Sequence, residues 1–294
     1  MTRWTGHNGA IYDLVFWPER GQWVSAGGDG LVAAWSAGGQ GTGIFHHHEA
    51  FFGVGLWGQD LVAGTASGDA FVLIGGEPRR WKTHDLGTFA FATAANGALL
   101  TGGGDGTGNL WGRGEDGEIL NLGPAWTNPA RGKIRGFFAG PSGDMLVASS
   151  DGTARLLSME AGELGQPVVR HEGGVYCAVW HEAKRVWLTG GRDGHIRVSR
   201  PSGEAILALP AHEGSIYRMC LVGKQLWTAG RDKCIKVWDL DALQVLHRLD
   251  ARSGGHSRSV NAMACRLTGE GFSEVVSGGD DRVVMLHALP RPVA

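Results

Sequence analysis

Ser25-Ala26-Gly27-Gly28-Asp29-Gly30, running on through a short apolar stretch to Trp35, decides the fold because the chain repeats it. Thr101-Gly102-Gly103-Gly104-Asp105 leads in the same way to Trp111, and Thr228-Ala229-Gly230-Arg231-Asp232 to Trp238. A further copy is Thr189-Gly190-Gly191-Arg192-Asp193, and weaker ones turn at Ser67, Asp151 and Asp281. The seven turn positions, 29, 67, 105, 151, 193, 232 and 281, lie 38, 38, 46, 42, 39 and 49 residues apart. A period in that range with several short strands per unit is the signature of a β-propeller.

Around each turn the pattern is that of strands. Ile11-Tyr12-Asp13-Leu14-Val15-Phe16-Trp17 and Gln22-Trp23-Val24-Ser25 precede the first turn, and Leu31–Trp35 follows it; a more polar fourth strand leads to the next His. Nothing has helical periodicity. Seven units fill the 294 residues, so the expected architecture is all-β, a seven-bladed β-propeller spanning 1–294 as a single domain. Arg3-Trp4-Thr5-Gly6-His7 matches Arg80-Trp81-Lys82-Thr83-His84, where the segment is an outer strand. Residues 2–5 are therefore expected to complete the last blade by pairing around Val283–Leu286, removing an exposed sheet edge.

These residues resemble the WD-repeat (WD40) family, whose pattern is Gly-His, then Ser or Thr, then Asp, then Trp-Asp. The sixth unit comes closest with His212, Thr228, Asp232 and Trp238-Asp239; the first has His7, Ser25, Asp29 and Trp35, and the third His84, Thr101, Asp105 and Trp111. The resemblance implies one hydrogen-bonded set per blade, in which Asp accepts from His, His meets the hydroxyl and the hydroxyl meets the indole N–H. The fifth unit has His171, Thr189 and Asp193 but Ser199 for Trp, and the seventh has His256, Ser277 and Asp281 but His287. Two units depart further. The second has His48 as its repeat His, with Ala63, Ser67 and Leu73, and the fourth has Ala130, Val147, Asp151 and Leu157, which leaves Asp151 short of partners. Blades 2 and 4 are accordingly expected to be locally less regular.

Bulk properties exclude several functions. A formal charge of −2 supplies no field for nucleic acid or an anionic membrane, and no apolar run is long enough to span a bilayer. No cleaved leader is expected, because the repeat begins at Arg3, and a cytoplasmic protein follows. Cys177, Cys220, Cys234 and Cys265 form no Cys-x-x-Cys pair. The recurring His, Asp and hydroxyl residues look like an acid–base inventory, yet recurrence at one register marks them as structural. His46-His47-His48 is read as a loop that captures metal adventitiously, so no metal or cofactor is expected. There is no Gly-x-Ser-x-Gly and no Gly-x-x-x-x-Gly-Lys-Ser/Thr phosphate loop, and the chain reads as a non-enzyme.

One pattern survives once the architecture is discounted. The residue after the first apolar position of each opening strand is Tyr12, Phe52, Phe89, Arg135, Tyr176, Tyr217 and Asn261, and these include all three tyrosines. The family resemblance places this register, and the residue before each turn Asp, at the upper mouth of the channel; the latter series includes Arg192, Arg231 and Asp280. Lys133 adds a charge beside Arg135. Blades 1–3 thus offer aromatic rings and blades 4–6 a basic arc. Clustered Tyr and Arg is the composition of a binding hot spot. The expected function is a protein- or peptide-binding scaffold within a multiprotein assembly, preferring an acidic or phosphorylated segment. Its rivals are an enzyme or enzyme subunit with a site at the channel mouth, for which Asp13 and Asp280 are the candidate acid–base groups, and a nucleic-acid-binding propeller.

Overall fold

A computed structural model describes residues 1–127, 132–159, 162–267 and 273–289. Its 28 strands form seven four-stranded antiparallel sheets. Blade 1 consists of Ile11–Trp17, Gln22–Gly27, Leu31–Trp35 and Gly41–His46, and blade 2 of Phe51–Trp57, Asp60–Thr65, Asp69–Ile74 and Glu77–Lys82. Blades 3 to 6 open with Thr88–Thr93, Ile134–Ala139, Val175–His181 and Ile216–Val222. Blade 7 has Val260–Leu267, Ser273–Gly279, Val283–Leu289 and then, from the other end of the chain, Thr2–Thr5. That last pairing is antiparallel, running from Thr2 opposite Leu286 to Thr5 opposite Val283, as the Arg-Trp-x-x-His match predicts.

Each opening strand touches the opening strands of both neighbours, so the seven form a closed ring around a central channel. The second and third strands are buried on both faces, as in Gln22–Gly27 and Leu31–Trp35, whereas the outermost strands of blades 2, 5 and 6 lie almost wholly in water. The core therefore sits between blades. Val24, Val32 and Phe45 of blade 1 pack with Phe51, Leu61 and Ala63 of blade 2, while Trp4, Val276 and Val284 of blade 7 pack with Ile11 and Trp35 of blade 1. Ten tryptophans are buried, in keeping with their reading as packing residues.

The repeat turns have a shared backbone requirement. The residue after each turn position takes a positive φ: Gly30, Gly68, Gly106, Gly152 and Gly194, but Lys233 in blade 6 and Arg282 in blade 7, both at 67°. Only glycine adopts that region freely.

The hydrogen-bonded sets form where the sequence completes them. In blade 1 the Trp35 indole donates to Ser25 Oγ at 2.8 Å, Ser25 lies 2.7 Å from His7 Nε2, and His7 Nδ1 lies 3.0 Å from Asp29. The Asp29 carboxylate only accepts, so the imidazole donates to it from Nδ1 and its Nε2 accepts from the Ser25 hydroxyl, whose oxygen accepts the indole N–H. Blade 6 repeats this with Trp238, Thr228, His212 and Asp232. In blade 3 the His84 Nδ1 also meets Thr107, which donates to Asp105. Blade 7 substitutes one donor for another: His287 Nε2 lies 2.8 Å from Ser277 Oγ, where an indole stands in blade 1.

Three expectations require correction. In every other blade with a repeat His, that residue lies four positions before the opening strand, and its backbone N–H in blades 3, 5 and 6 donates to the glycine of the preceding turn. His47, not His48, meets both criteria, donating to Gly30 at 2.8 Å, whereas the His48 side chain is 79% exposed. The three consecutive histidines hid the register. Asp151 is not stranded either: its Oδ1 accepts from the backbone N–H and the hydroxyl of Thr153 at 2.8 and 2.7 Å. Ala130 lies outside the described residues. Irregularity does not follow the missing set: the outer pairing of blade 4 shifts register twice, but so does that of blade 3, which keeps the set, and that of blade 2 runs unbroken from Asp69–Lys82 to Ile74–Glu77. Blade 2 replaces the usual set with its own: Glu49 accepts from the Ser67 N–H, and Arg80 pairs with Asp69.

Candidate functional site

In all seven blades the pairing of the first two strands shifts by one residue, and the residue skipped is Tyr12, Phe52, Phe89, Arg135, Tyr176, Tyr217 or Asn261. A bulge leaves its extra residue out of the ladder and re-aims its side chain. The sequence shows these residues as one register; the bulge explains how that register faces the mouth and not a neighbouring blade.

The seven side chains form a collar, in which each from Tyr12 round to Tyr217 lies against the next. Tyr12 meets Phe52 edge-on at 5.2 Å, and Phe52 stacks on Phe89 at 5.1 Å. The Arg135 guanidinium lies 5.3 Å from the Phe89 ring and 5.5 Å from the Tyr176 ring, and Tyr176 lies 5.6 Å from Tyr217. Asn261 closes the circuit by donating to the Ile11 carbonyl and to Asp280 Oδ1. Close approach of Phe89 to the neighbouring turn is possible because Gly104 has no side chain, since a Cβ there would fall 2.9 Å from the ring and 2.2 Å from the Leu86 carbonyl.

The collar surrounds a cavity of about 660 Å³ with walls from all seven blades, so the cavity lies on the ring axis. It brings together ten of the eleven residues expected there, including Lys133, Arg231 and Asp280. Arg192 is exposed and does not line it; its stem lies over Gly173. All seven collar residues are half-buried, and no phenol oxygen has a partner among the described residues. Lys133, Arg135 and Arg231 likewise have no ion-pair partner among the described residues. Burial draws the Arg135 guanidinium below the ordinary arginine value, and its Nε is buried without a hydrogen bond.

The structure adds two residues to the cavity wall, Arg218 and Ser259. Arg218 of blade 6 reaches Asp13 of blade 1 at 2.8 Å, and the other Asp13 oxygen accepts from the Val54 N–H of blade 2 at 3.1 Å. Burial opposes the Arg218 charge, but the Asp13 carboxylate outweighs it and raises the guanidinium above its usual value. The signal was available in the sequence. The position after the bulge is Gly53, Ala90, Gly136, Cys177 and Ala262 in the other blades, so an Asp and an Arg there stand out. Ser259 shares its register with Lys133.

Other titratable groups do structural work. Burial works against the Asp29 and Asp232 carboxylates, but hydrogen bonds from nearby backbone N–H groups and from the repeat His hold both below the usual carboxylate range. Burial pushes the Cys177 thiol up to about 12 and His287 down to about 3. The four cysteines are free thiols. Ligand atoms of His47, His48 and Glu49 lie within 4.8 Å of one another, but His47 Nδ1 already accepts from the Glu49 N–H, and Glu49 from the Ser67 N–H.

Comparison with known proteins agrees with this geometry. The family model "WD domain, G-beta repeat" matches residues 1–36, 163–198 and 203–239. The U5 small nuclear ribonucleoprotein 40 kDa protein of Dictyostelium discoideum is 29% identical over 145 residues, which are 47% of this chain and 39% of that protein. The chain thus spans about two fifths of the length of the relative it matches. Three segments of the chain thus match the WD repeat, and they lie on a closed ring of seven four-stranded blades.

Proposed function

We propose that this propeller is a non-catalytic docking platform, and that the collared mouth of its channel receives an acidic or phosphorylated segment of a protein partner. The observation that carries this reading is the coincidence of three open phenols with three unpaired cations around one cavity. Aromatic faces supply contact area at little conformational cost, and Arg offers carboxylate or phosphate two parallel donors. Asp280 is the one carboxylate on the cavity wall among the described residues, so the balance there is positive although the whole chain is slightly negative. The candidate acid–base groups are engaged elsewhere, Asp13 with Arg218 and Asp280 with Asn261, which supports a binding role over catalysis.

The name of the relative supports a place in a multiprotein assembly and gives one reason to weigh a ribonucleoprotein context. Stacking aromatics with cations also suit single-stranded nucleic acid. Partner capture from native lysate with wild type and with Lys133→Glu/Arg231→Glu tests the reading. A protein lost from the double variant, while the variant keeps its melting temperature, supports it. Capture that ignores both charges refutes it, and binding of RNA with a steep salt dependence would replace it with the nucleic-acid reading.

A further inference from the structure

Blades differ in how they lose the hydrogen-bonded set. Blades 2 and 4 have lost hydroxyl and indole together: Ala63 goes with Leu73 and Val147 with Leu157, and both leucines are buried. Blade 5 keeps the hydroxyl. Thr189 lies 2.9 Å from His171 Nε2, and His171 Nδ1 lies 2.9 Å from Asp193, yet Ser199 stands where blades 1, 3 and 6 carry the indole. The Thr189 hydroxyl therefore gives its proton to His171 and accepts no N–H in return. Ser199 is 3% exposed and its Oγ has no partner.

Blade 1 shows what the missing ring would touch. Trp35 pairs with Gly41, stacks on Trp4 of the preceding outer strand at 5.9 Å and 17°, and passes Gly6, where a Cβ would lie 3.3 Å from the indole. The residues at the same registers in blade 5 are Ala205 for Gly41, Val168 for Trp4 and Arg170 for Gly6. All three, with Ser199, line a groove of about 460 Å³ between the outer strands of blades 4 and 5. The groove occupies the place of the indole. Ile206 and Leu207 form its lip and are 48% and 37% exposed, on an outer strand, Ala205–Pro210, that carries no charge.

We propose that this groove receives the tryptophan side chain of a partner polypeptide, completing the blade 5 set in trans. The indole N–H would donate to Ser199 Oγ, which lines the groove, the ring would lie against Val168, Val198 and Ala205, and the lip would cover the residues flanking that tryptophan. An indole fits better than a phenyl ring because the unmet groups are hydroxyl acceptors, which a phenyl ring would bury without a donor. The site is on the flank of the ring and stands independently of the mouth.

Fluorine NMR with fluoroindole and with N-acetyl-fluorotryptophan amide tests it. Both probes should show saturable shifts with the wild-type protein. Ser199→Trp should fill the groove from within, raise the melting temperature and weaken both probes by about tenfold or more. Should that variant fail to fold, Ser199→Leu, which copies blades 2 and 4, should weaken them in the same direction. No saturable binding to wild type overturns the proposal, as does equal binding to a folded Ser199→Trp or Ser199→Leu protein. Binding of free fluoroindole without the amide also overturns it, because a side chain attached to a backbone could not then enter.

Discussion

The buried sets and the collar at the mouth come from the same repeat, a few residues apart, and have opposite fates. In blade 6 the His212, Thr228, Asp232 and Trp238 side chains satisfy one another, with only Asp232 partly open to water. On the cavity wall of the same blade, the side-chain polar atoms of Tyr217 and Arg231 have no hydrogen-bond or ion-pair partner among the described residues. A polar group without a partner at the surface costs little and is free for a ligand, whereas the same group inside costs about 1–3 kcal/mol. The repeat thus separates stability from recognition by register alone.

That separation can be broken or sharpened by experiment. The largest effect is expected at His287, which lies in a buried set and is held down to about 3 by burial. Its pKa is depressed on folding from an ordinary value near 6.5, so the unfolded chain binds the extra proton first as pH falls. Stability should be complete above about pH 6.5 and fall from there toward pH 3, by roughly 3 kcal/mol between pH 7 and pH 4. Urea melts across that range should show the loss, and His287→Trp, restoring the indole used in blade 1, should remove much of the slope. An unchanged slope would take His287 out of the account.

Next in size is Asp232→Ala, which strips His212 of its acceptor and should cost about 1–3 kcal/mol of stability by calorimetry. Partner binding by the folded fraction should be unaffected. Tyr217→Ala and Arg231→Ala should do the reverse, weakening the partner by roughly 1–2 kcal/mol while moving stability by less than about 0.5 kcal/mol. A collar variant that melts early without losing binding would collapse the distinction. The smallest effect concerns the turn: Lys233→Gly, relieving a positive φ of 67°, should stabilise by about 0.5–1 kcal/mol and leave binding alone.

What could be read from the chain follows the same division. Blade number rests on a turn that recurs seven times, so one ambiguous copy does little damage, and ring closure rests on one match, Arg3–His7 with Arg80–His84. Where the local pattern is degenerate the reading slips, as with His47 against His48. Collar positions were legible as a register, but the bulge that aims them is a backbone event with no residue type of its own, being occupied by Tyr, Phe, Arg and Asn alike. The Asp13–Arg218 pair joins blades 1 and 6 and escaped a blade-by-blade reading. Arg192 was placed on the cavity wall because its turn repeats that of Arg231; the side chains diverge although each backbone N–H is held alike, by the Gly174 and Ser215 carbonyls.

Pairing of Thr2–Thr5 with Val283–Leu289 also has a bearing on the order of events during synthesis. Thr2–Thr5 are made before the three strands of the sheet they complete, so they must wait, unpaired, until almost every other strand of the propeller has been made. Inner blades can collapse against neighbours as they emerge, while blade 7 and the first face of blade 1 stay open. Joining the ends then closes a loop of nearly the full chain, although the entropic penalty grows only with the logarithm of its length. Partly made chains would expose an unsatisfied strand edge at blade 7, the surface most prone to wrong pairing with another nascent copy.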